Sequence, residues 1–243
     1  MDSLQETWVY LSASPLFHLT LTLAAFQAAN WLFEKVGRNP LLNPVLGAVL
    51  LVVAVLLVTG TDYGTYFEGA QFVHFLLGPA TVALAVPLYR QWHRVRQSAV
   101  AITVSLLSGS LTAILTAVAV TWALGGSTEI AASVAPKSVT APVAMAIAEE
   151  LGGLPSLTAV LVIVTGILGA MFGPAILNLI GVRDWRARGL AIGTASHGIG
   201  TARALQVNET AGAFSGLAMG LNALATALLL PAVWGLLSRL FAL

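Results

Sequence analysis

Two short stretches concentrate the polar chemistry of this sequence: Pro136-Lys137-Ser138-Val139-Thr140-Ala141-Pro142 and Thr194-Ala195-Ser196-His197-Gly198-Ile199-Gly200-Thr201. Each sets helix breakers beside hydroxyls in an otherwise apolar neighbourhood. Thr140 and Pro142 suit the start of a half-helix, with Thr140 as its N-cap, and Gly198 and Gly200 allow backbone to approach a ligand closely. The N-terminus of such a half-helix presents unpaired N–H donors and partial positive charge, so the matching ligand is a small anion. Arg203 follows His197 within one or two turns, and its planar guanidinium fits a carboxylate with two parallel hydrogen bonds. Lys137 is a second cation for that anion; the competing reading is a lysine snorkelling to water. Ser138, Thr140, Ser196 and Thr201 supply hydroxyls for a substrate hydroxyl or keto oxygen. His197 suits proton coupling or substrate donation, against a structural histidine bonded to nearby backbone. Asn222, alone and polar in its run, either contacts substrate or bonds a neighbouring helix.

Other chemistries lack their residues. There is no cysteine, hence no thiolate metal site or cysteine nucleophile, and His18, His74 and His93 are scattered without acids at ligand spacing, so no metal or cofactor is expected. No phosphate loop and no serine with a His/Asp partnership occur, and Glu149 and Glu150 are adjacent and so on different helix faces. The chain is not expected to be an enzyme. A coupling ion, a proton or sodium, is compatible with Glu149, Glu150 and His197 or with carbonyls and hydroxyls.

The elements that must position these residues are membrane helices. With 11 Lys+Arg, 10 Asp+Glu and 58% apolar residues in 243, charge is too sparse for a water-facing surface, which excludes a soluble globular domain and a nucleic-acid binder. Six uncharged runs are long enough to span: Thr7 to Phe33, Asn39 to Thr61, Gly69 to Tyr89, Gln97 to Thr128, Leu151 to Val182 and Thr210 to Ser238. Ser138 to Ala148 and Gly189 to Ala202 are too short. Met1 to Tyr10 lacks the basic stretch of a signal peptide, so the apolar runs themselves are expected to direct the chain to the cell inner membrane. The expected fold is an all-α multi-pass bundle with about seven crossing segments plus interrupted or re-entrant helices. Arginine-rich loops at Arg90 to Arg96 and Arg183 to Arg188 face the cytoplasm by the positive-inside rule.

Tracing the chain from those loops makes Ser138 to Ala148 enter and leave by the outer face. The Gly189 to Gln206 segment either re-enters from the inner face or crosses, Arg239 favouring crossing. Long run plus interrupted segment then occurs twice in opposite senses, the signature of inverted-topology repeats around a transporter site. Gly78-Pro79-Ala80-Thr81 should break or kink the third run, and Gly173-Pro174 the fifth. Gly212, Ser215, Gly216, Ala218, Gly220 and Ala223 read as close helix packing. The whole chain, 1–243, is one membrane domain, with 1–70 as early helices suited to scaffolding or dimerisation and 71–243 as the binding unit.

Pro136 to Ala144 (PKSVTAPVA), Glu150 to Ala170, Arg188 to Leu205 (RGLAIGTASHGIGTARAL) and Gly212 to Pro231 resemble the LrgB/CidB family. The resemblance covers Leu77 to the C-terminus well and the first seventy residues loosely. Two positions depart from the family pattern, Ala141 where a second threonine is common and Gly198 where alanine is common, so a substrate-hydroxyl role at 141 is in doubt. The resemblance implies two functions. Bacterial members are holin- or antiholin-like modulators of murein hydrolase activity and lysis, acting with a small LrgA/CidA-type membrane partner. Plastid relatives translocate glycolate and glycerate, and some bacterial relatives are linked to pyruvate. The expectation is a secondary transporter of small 2-hydroxy- or 2-oxo-monocarboxylates with Lys137, Ser138, Thr140, Ser196, His197, Gly198, Gly200, Thr201, Arg203 and Asn222 at its site; the alternative is a regulator of lysis working through that partner.

Overall fold

Apolar chain surrounded by hydrocarbon has to satisfy its own backbone, and helices do this within one segment. The computed structural model describes residues 15–39, 42–83 and 85–241, and the described chain is helical with no strand. It divides into two compact units, Met1–Ala83 and Leu84–Leu243.

The first unit contains α1 (Pro15–Lys35), α2 (Pro44–Thr59), α3 (Tyr63–Phe75) and α4 (Leu77–Ala83). Asn43 starts α2 by accepting from the Val45 and Leu46 amides at 2.8 and 3.2 Å, with Pro44 in the first turn, and Gly60 ends it at φ 65°. Asp62 caps α3 through the Gly64 and Thr65 amides, and those bonds hold its carboxyl below the usual range. Gly69 brings α3 against the Pro15 carbonyl and His18, and Thr22 of α1 meets the Tyr66 hydroxyl at 2.8 Å.

The second unit contains α5 (Ala85–Arg90), α6 (Trp92–Gln97), α7 (Ala99–Ala123), α8 (Thr128–Val134), α9 (Ala141–Glu150), α10 (Pro155–Leu179), α11 (Trp185–Val207) and α12 (Glu209–Phe241). α7 and α12 run parallel. Ile102 and Leu106 share a cluster with Phe214 and Ala218, Ser110 meets Thr226 at 3.0 Å, and Ile114 and Val118 share one with Leu230 and Leu237. α10 runs the other way, so the unit has a basic end, with Arg94, Arg183 and Arg186, and an acidic end, with Glu129, Glu149 and Glu150.

Among the described residues, four helices are long and apolar enough to cross a membrane (Pro15–Lys35, Ala99–Ala123, Pro155–Leu179 and Glu209–Leu237), and Pro44–Thr59 is apolar but shorter. The expected count of about seven crossing segments is therefore not reproduced. The third run, Gly69 to Tyr89, is where it fails. Among the described residues, 63–75, 77–83, 85–90 and 92–97 are helical, with interruptions at Leu76 and Gln91, so no helix there reaches the roughly 20 residues a span requires. α3 stops at Leu76, and Gly78-Pro79 falls in the first turn of α4, where proline's missing N–H is harmless. The side chain of Thr81 lies outside the described residues. Gly173-Pro174 does not break α10, which continues through it.

Candidate functional site

Both interrupted segments are helical hairpins, and they enter the second unit from opposite ends. In the first, α8 and α9 flank a tip at 135–140. Ser127 caps α8, its hydroxyl accepting from the Ile130 amide. Ser133 then ties the hairpin to the start of α10. Its hydroxyl accepts from the Leu154 amide at 2.7 Å, and its carbonyl accepts from Thr158 Oγ1 at 3.0 Å. Gly153 sits directly on the Ser133 backbone, and Ala131, Ala132, Ala144 and Ala148 have no exposed surface. The tip lies deeper, where Val139 packs with Val162 and Ala223. Both arms therefore open at the acidic end, as the charge trace expected.

The second hairpin is α11. Residue 197 carries φ 40° and ψ −131° inside it, a conformation that no helix accommodates. The chain folds back there. Gly189 and Gly193 of the first half lie against the carbonyls of Ala211 and Ser215, so this half runs parallel to α12. In the second half Thr201 meets Ser215 at 2.9 Å and Leu205 lies against Gly212, so that half runs antiparallel. Gly200 packs on Ile192 across the two halves, and Ile192 and Ala204 share one apolar cluster with Leu177 and Ala211. Arg188 and Val207 consequently end side by side at the basic end. The segment that sequence left open between crossing and re-entry re-enters, and the lone charge of Arg239 was a poor guide. Asp184 starts this hairpin by accepting from the Arg186 amide, and the Arg186 guanidinium at 2.6 Å pushes its carboxyl down to about 2.

Asn222 joins the two tips. Its amide nitrogen donates to the Ser138 carbonyl at 3.1 Å and to the Thr194 carbonyl at 3.0 Å, one from each hairpin. Asn222 is 1% exposed, and its Oδ1 has no hydrogen-bond partner among the described residues. The residue lies thirteen positions into α12, about 20 Å from that helix's start, so the tips meet near mid-depth.

The expected site residues separate into two groups around this point. Ser138, Thr140 and Lys137 belong to the first tip. Lys137 is half-buried, donates to Ser138 Oγ at 3.3 Å and makes no ion pair among the described residues. Thr140 holds the N-cap position of α9 with Pro142 in the first turn, but its side chain makes no cap bond, so the opening N–H groups of α9 keep no intrahelical partner. Ser196, His197, Gly198, Gly200 and Thr201 belong to the second tip, where the polar side chains turn toward protein. Ser196 Oγ faces the backbone at Gly169 and Thr201 donates to the His197 carbonyl at 2.7 Å. His197 Nε2 donates to the Val162 carbonyl at 2.9 Å, with its ring over Gly166.

Arg203 is not at the tip. It lies six residues beyond His197, about 9 Å along the helix, and lines a cavity of ≈ 190 Å³ with Ala170, Pro174, Trp185 and Arg188 toward the basic end. Sequence reading missed the Ser110–Thr226 pair and the roles of Gly166 and Gly169, which let α10 approach the second tip. A glycine at each of two successive turns of α10 was the available signal. No group of three or more metal-ligating side chains occurs among the described residues.

Known proteins identify the family of this sequence. A model of the LrgB-like family matches residues 22–236. The chain is 38% identical over 205 residues to the Bacillus subtilis protein YxaC, covering 84% of this chain and 89% of that one. It is 33% identical over 213 residues to the holin-like protein CidB of Staphylococcus epidermidis, covering 88% and 93%. CidB of Staphylococcus aureus is also 33% identical, over 216 residues covering 89% and 94%. No solved structure matches. Family match, matched length and apolar helices agree, and the chain is a membrane protein belonging to the LrgB-like family.

Proposed function

We propose that this protein is a secondary transporter of small 2-hydroxy- or 2-oxo-monocarboxylates, working by alternating access in the cell inner membrane. The observation that carries the reading is the meeting of two oppositely entering hairpin tips at Asn222. Broken helices at mid-depth are tolerated where they are buried in protein or line a wet path, and inverted pairs of them are the usual frame of a carrier site. The opening N–H groups of α9 supply donors and partial positive charge for the carboxylate, with Lys137 as the nearest cation. The buried Asn222 Oδ1 is an acceptor for the substrate hydroxyl. Arg203, lining the cavity toward the basic end, acts on the substrate's path. A proton or sodium would drive the cycle.

The test is uptake of labelled glycolate, glycerate, lactate and pyruvate by purified protein in liposomes under imposed pH or sodium gradients. Lys137→Ala is expected to abolish saturable uptake and Arg203→Ala to weaken it. No uptake from correctly inserted protein, or full activity in both variants, would overturn the proposal.

A second reading is favoured by the holin-like names of the staphylococcal relatives, which support it more directly than they support transport. Here the protein regulates murein hydrolase activity and lysis together with a small LrgA/CidA-type membrane protein, or as a homodimer. Co-purification with that partner and altered autolysis, unaffected by Lys137→Ala, would favour this reading.

A further inference from the structure

At the basic end of the second unit, a cavity of ≈ 410 Å³ is lined by Arg94 and Gln97 of α6, Arg183, Asp184, Trp185 and Arg186 at the start of α11, and Thr210 of α12. Its charges do not cancel. Asp184 is taken by Arg186 at 2.6 Å, and nearby Glu209 by Arg90 at 3.5 Å. Arg94 bonds only neutral oxygens, Gln91 Oε1 at 3.0 Å and Thr210 Oγ1 at 3.1 Å, and Arg183 has no ion pair among the described residues. Two guanidiniums therefore face one cavity without a counter-ion.

A second feature adjoins it. A groove of ≈ 170 Å³ shares Asp184 and Arg186 with the cavity and continues between α7 and α11 along Ala101, Ile102, Leu190 and Phe214, with Ser98 and Ser105 also in its lining. One wall thus serves both a cationic basin and a mainly apolar groove along the membrane-crossing helices. Trp92 and Tyr89, 58% and 83% exposed near the same end, are residues that favour headgroup level.

We propose that this pair of cavities binds one anionic phospholipid, its phosphodiester between Arg94 and Arg183 and an acyl chain in the groove. The groove is what selects a lipid over a free anion, since inorganic phosphate would leave it empty. Basic pockets between membrane helices hold anionic headgroups by this charge pairing. Because the basin is formed by the starts of α11 and α12 together with α6, an occupied site ties the base of the second hairpin to its neighbours. The ligand is separate from the carboxylate at the tips, and the inference stands without transport.

The test uses the full chain in a neutral detergent, titrated by native mass spectrometry with phosphatidylglycerol, phosphatidylcholine of the same chains, short-chain phosphatidylglycerol and inorganic phosphate. One phosphatidylglycerol should remain bound where phosphatidylcholine and phosphate do not. The Arg94→Gln and Arg183→Gln variants should each weaken it about fivefold. Ala101→Phe, at an exposed groove position, should weaken the long-chain lipid and leave the short-chain one unchanged, a result that loss of fold would not give. Equal retention of phosphatidylcholine, phosphate binding as tight as the lipid's, or unchanged affinity in the double arginine variant would overturn the proposal.

Discussion

Replacing Asn222 with leucine removes the donor that holds both hairpin tips while keeping the same branched arrangement of heavy atoms. Two buried carbonyls, Ser138 and Thr194, lose partners at 3.1 and 3.0 Å. Interhelical hydrogen bonds in membrane proteins average about 0.6 kcal/mol and reach about 1.7, so two amount to roughly 1–3 kcal/mol. The same change removes the unpartnered Oδ1, whose burial is itself unfavourable and offsets up to about 1 kcal/mol. The net loss of about 1–2 kcal/mol corresponds to a melting temperature lower by roughly 2–8 °C for a chain of this size. Asn222→Asp is the discriminating partner. Its carboxylate would face two carbonyl oxygens, so at pH 7 it should be less stable than the leucine variant. The assay is thermal unfolding in detergent at pH 7. An unchanged melting temperature for Asn222→Leu, or an aspartate variant as stable as the leucine one at pH 7, would refute the clasp.

Gly169→Ala and Gly193→Ala put a methyl group onto Ser196 Oγ and the Ser215 backbone, whereas Gly220 has nothing within 4 Å of its added carbon. The first two should destabilise by about 1–3 kcal/mol, and Gly220→Ala should stabilise by up to about 1 kcal/mol, in the same thermal assay. His197→Gly should be more stable than His197→Ala by about 1–3 kcal/mol, since both lose the bond to Val162 and only alanine keeps a side chain at φ 40°. The Asp184 carboxyl, held at about 2 against 3.8 by Arg186, stabilises the fold fully above pH 3.8 and loses that effect as pH falls through about 2. Melting temperature should therefore show an acid-side decline between pH 4 and 2 that Asp184→Asn reduces.

The two breaks were legible because Pro136, Pro142, Gly198 and Gly200 interrupt apolar sequence with residues a helix interior disfavours. The first hairpin followed from the shortness of the Ser138 to Ala148 run and the acids Glu129 and Glu149 on either side of it. The fold-back of α11 was not legible, since the reversal falls on His197, a residue type without glycine's freedom, while Gly198 and Gly200 lie within the helical half. Its evidence is tertiary, in Gly189 and Gly193 running with α12 and Leu205 running against it. Long uncharged runs overstated the number of spans, because absence of charge does not register where a helix stops, as α3 does at Leu76 just before Gly78-Pro79. Asn222 stood out as polar, and sequence left open whether it met substrate or helix; its nitrogen meets both hairpins and its oxygen has no hydrogen-bond partner among the described residues. Arg203 lies within two turns of His197, as its sequence spacing indicated, and what sequence did not show is that it lines a cavity toward the basic end.

The central claim is that the two hairpins open to opposite sides and meet within the membrane. The chain has no cysteine, so single cysteines at the exposed positions Glu150, Ala187 and Val207 give unambiguous labelling by an impermeant maleimide in oriented vesicles. The account predicts that Ala187→Cys and Val207→Cys label from one side and Glu150→Cys from the other; labelling of 187 and 207 from opposite sides would mean that α11 crosses, and would contradict it.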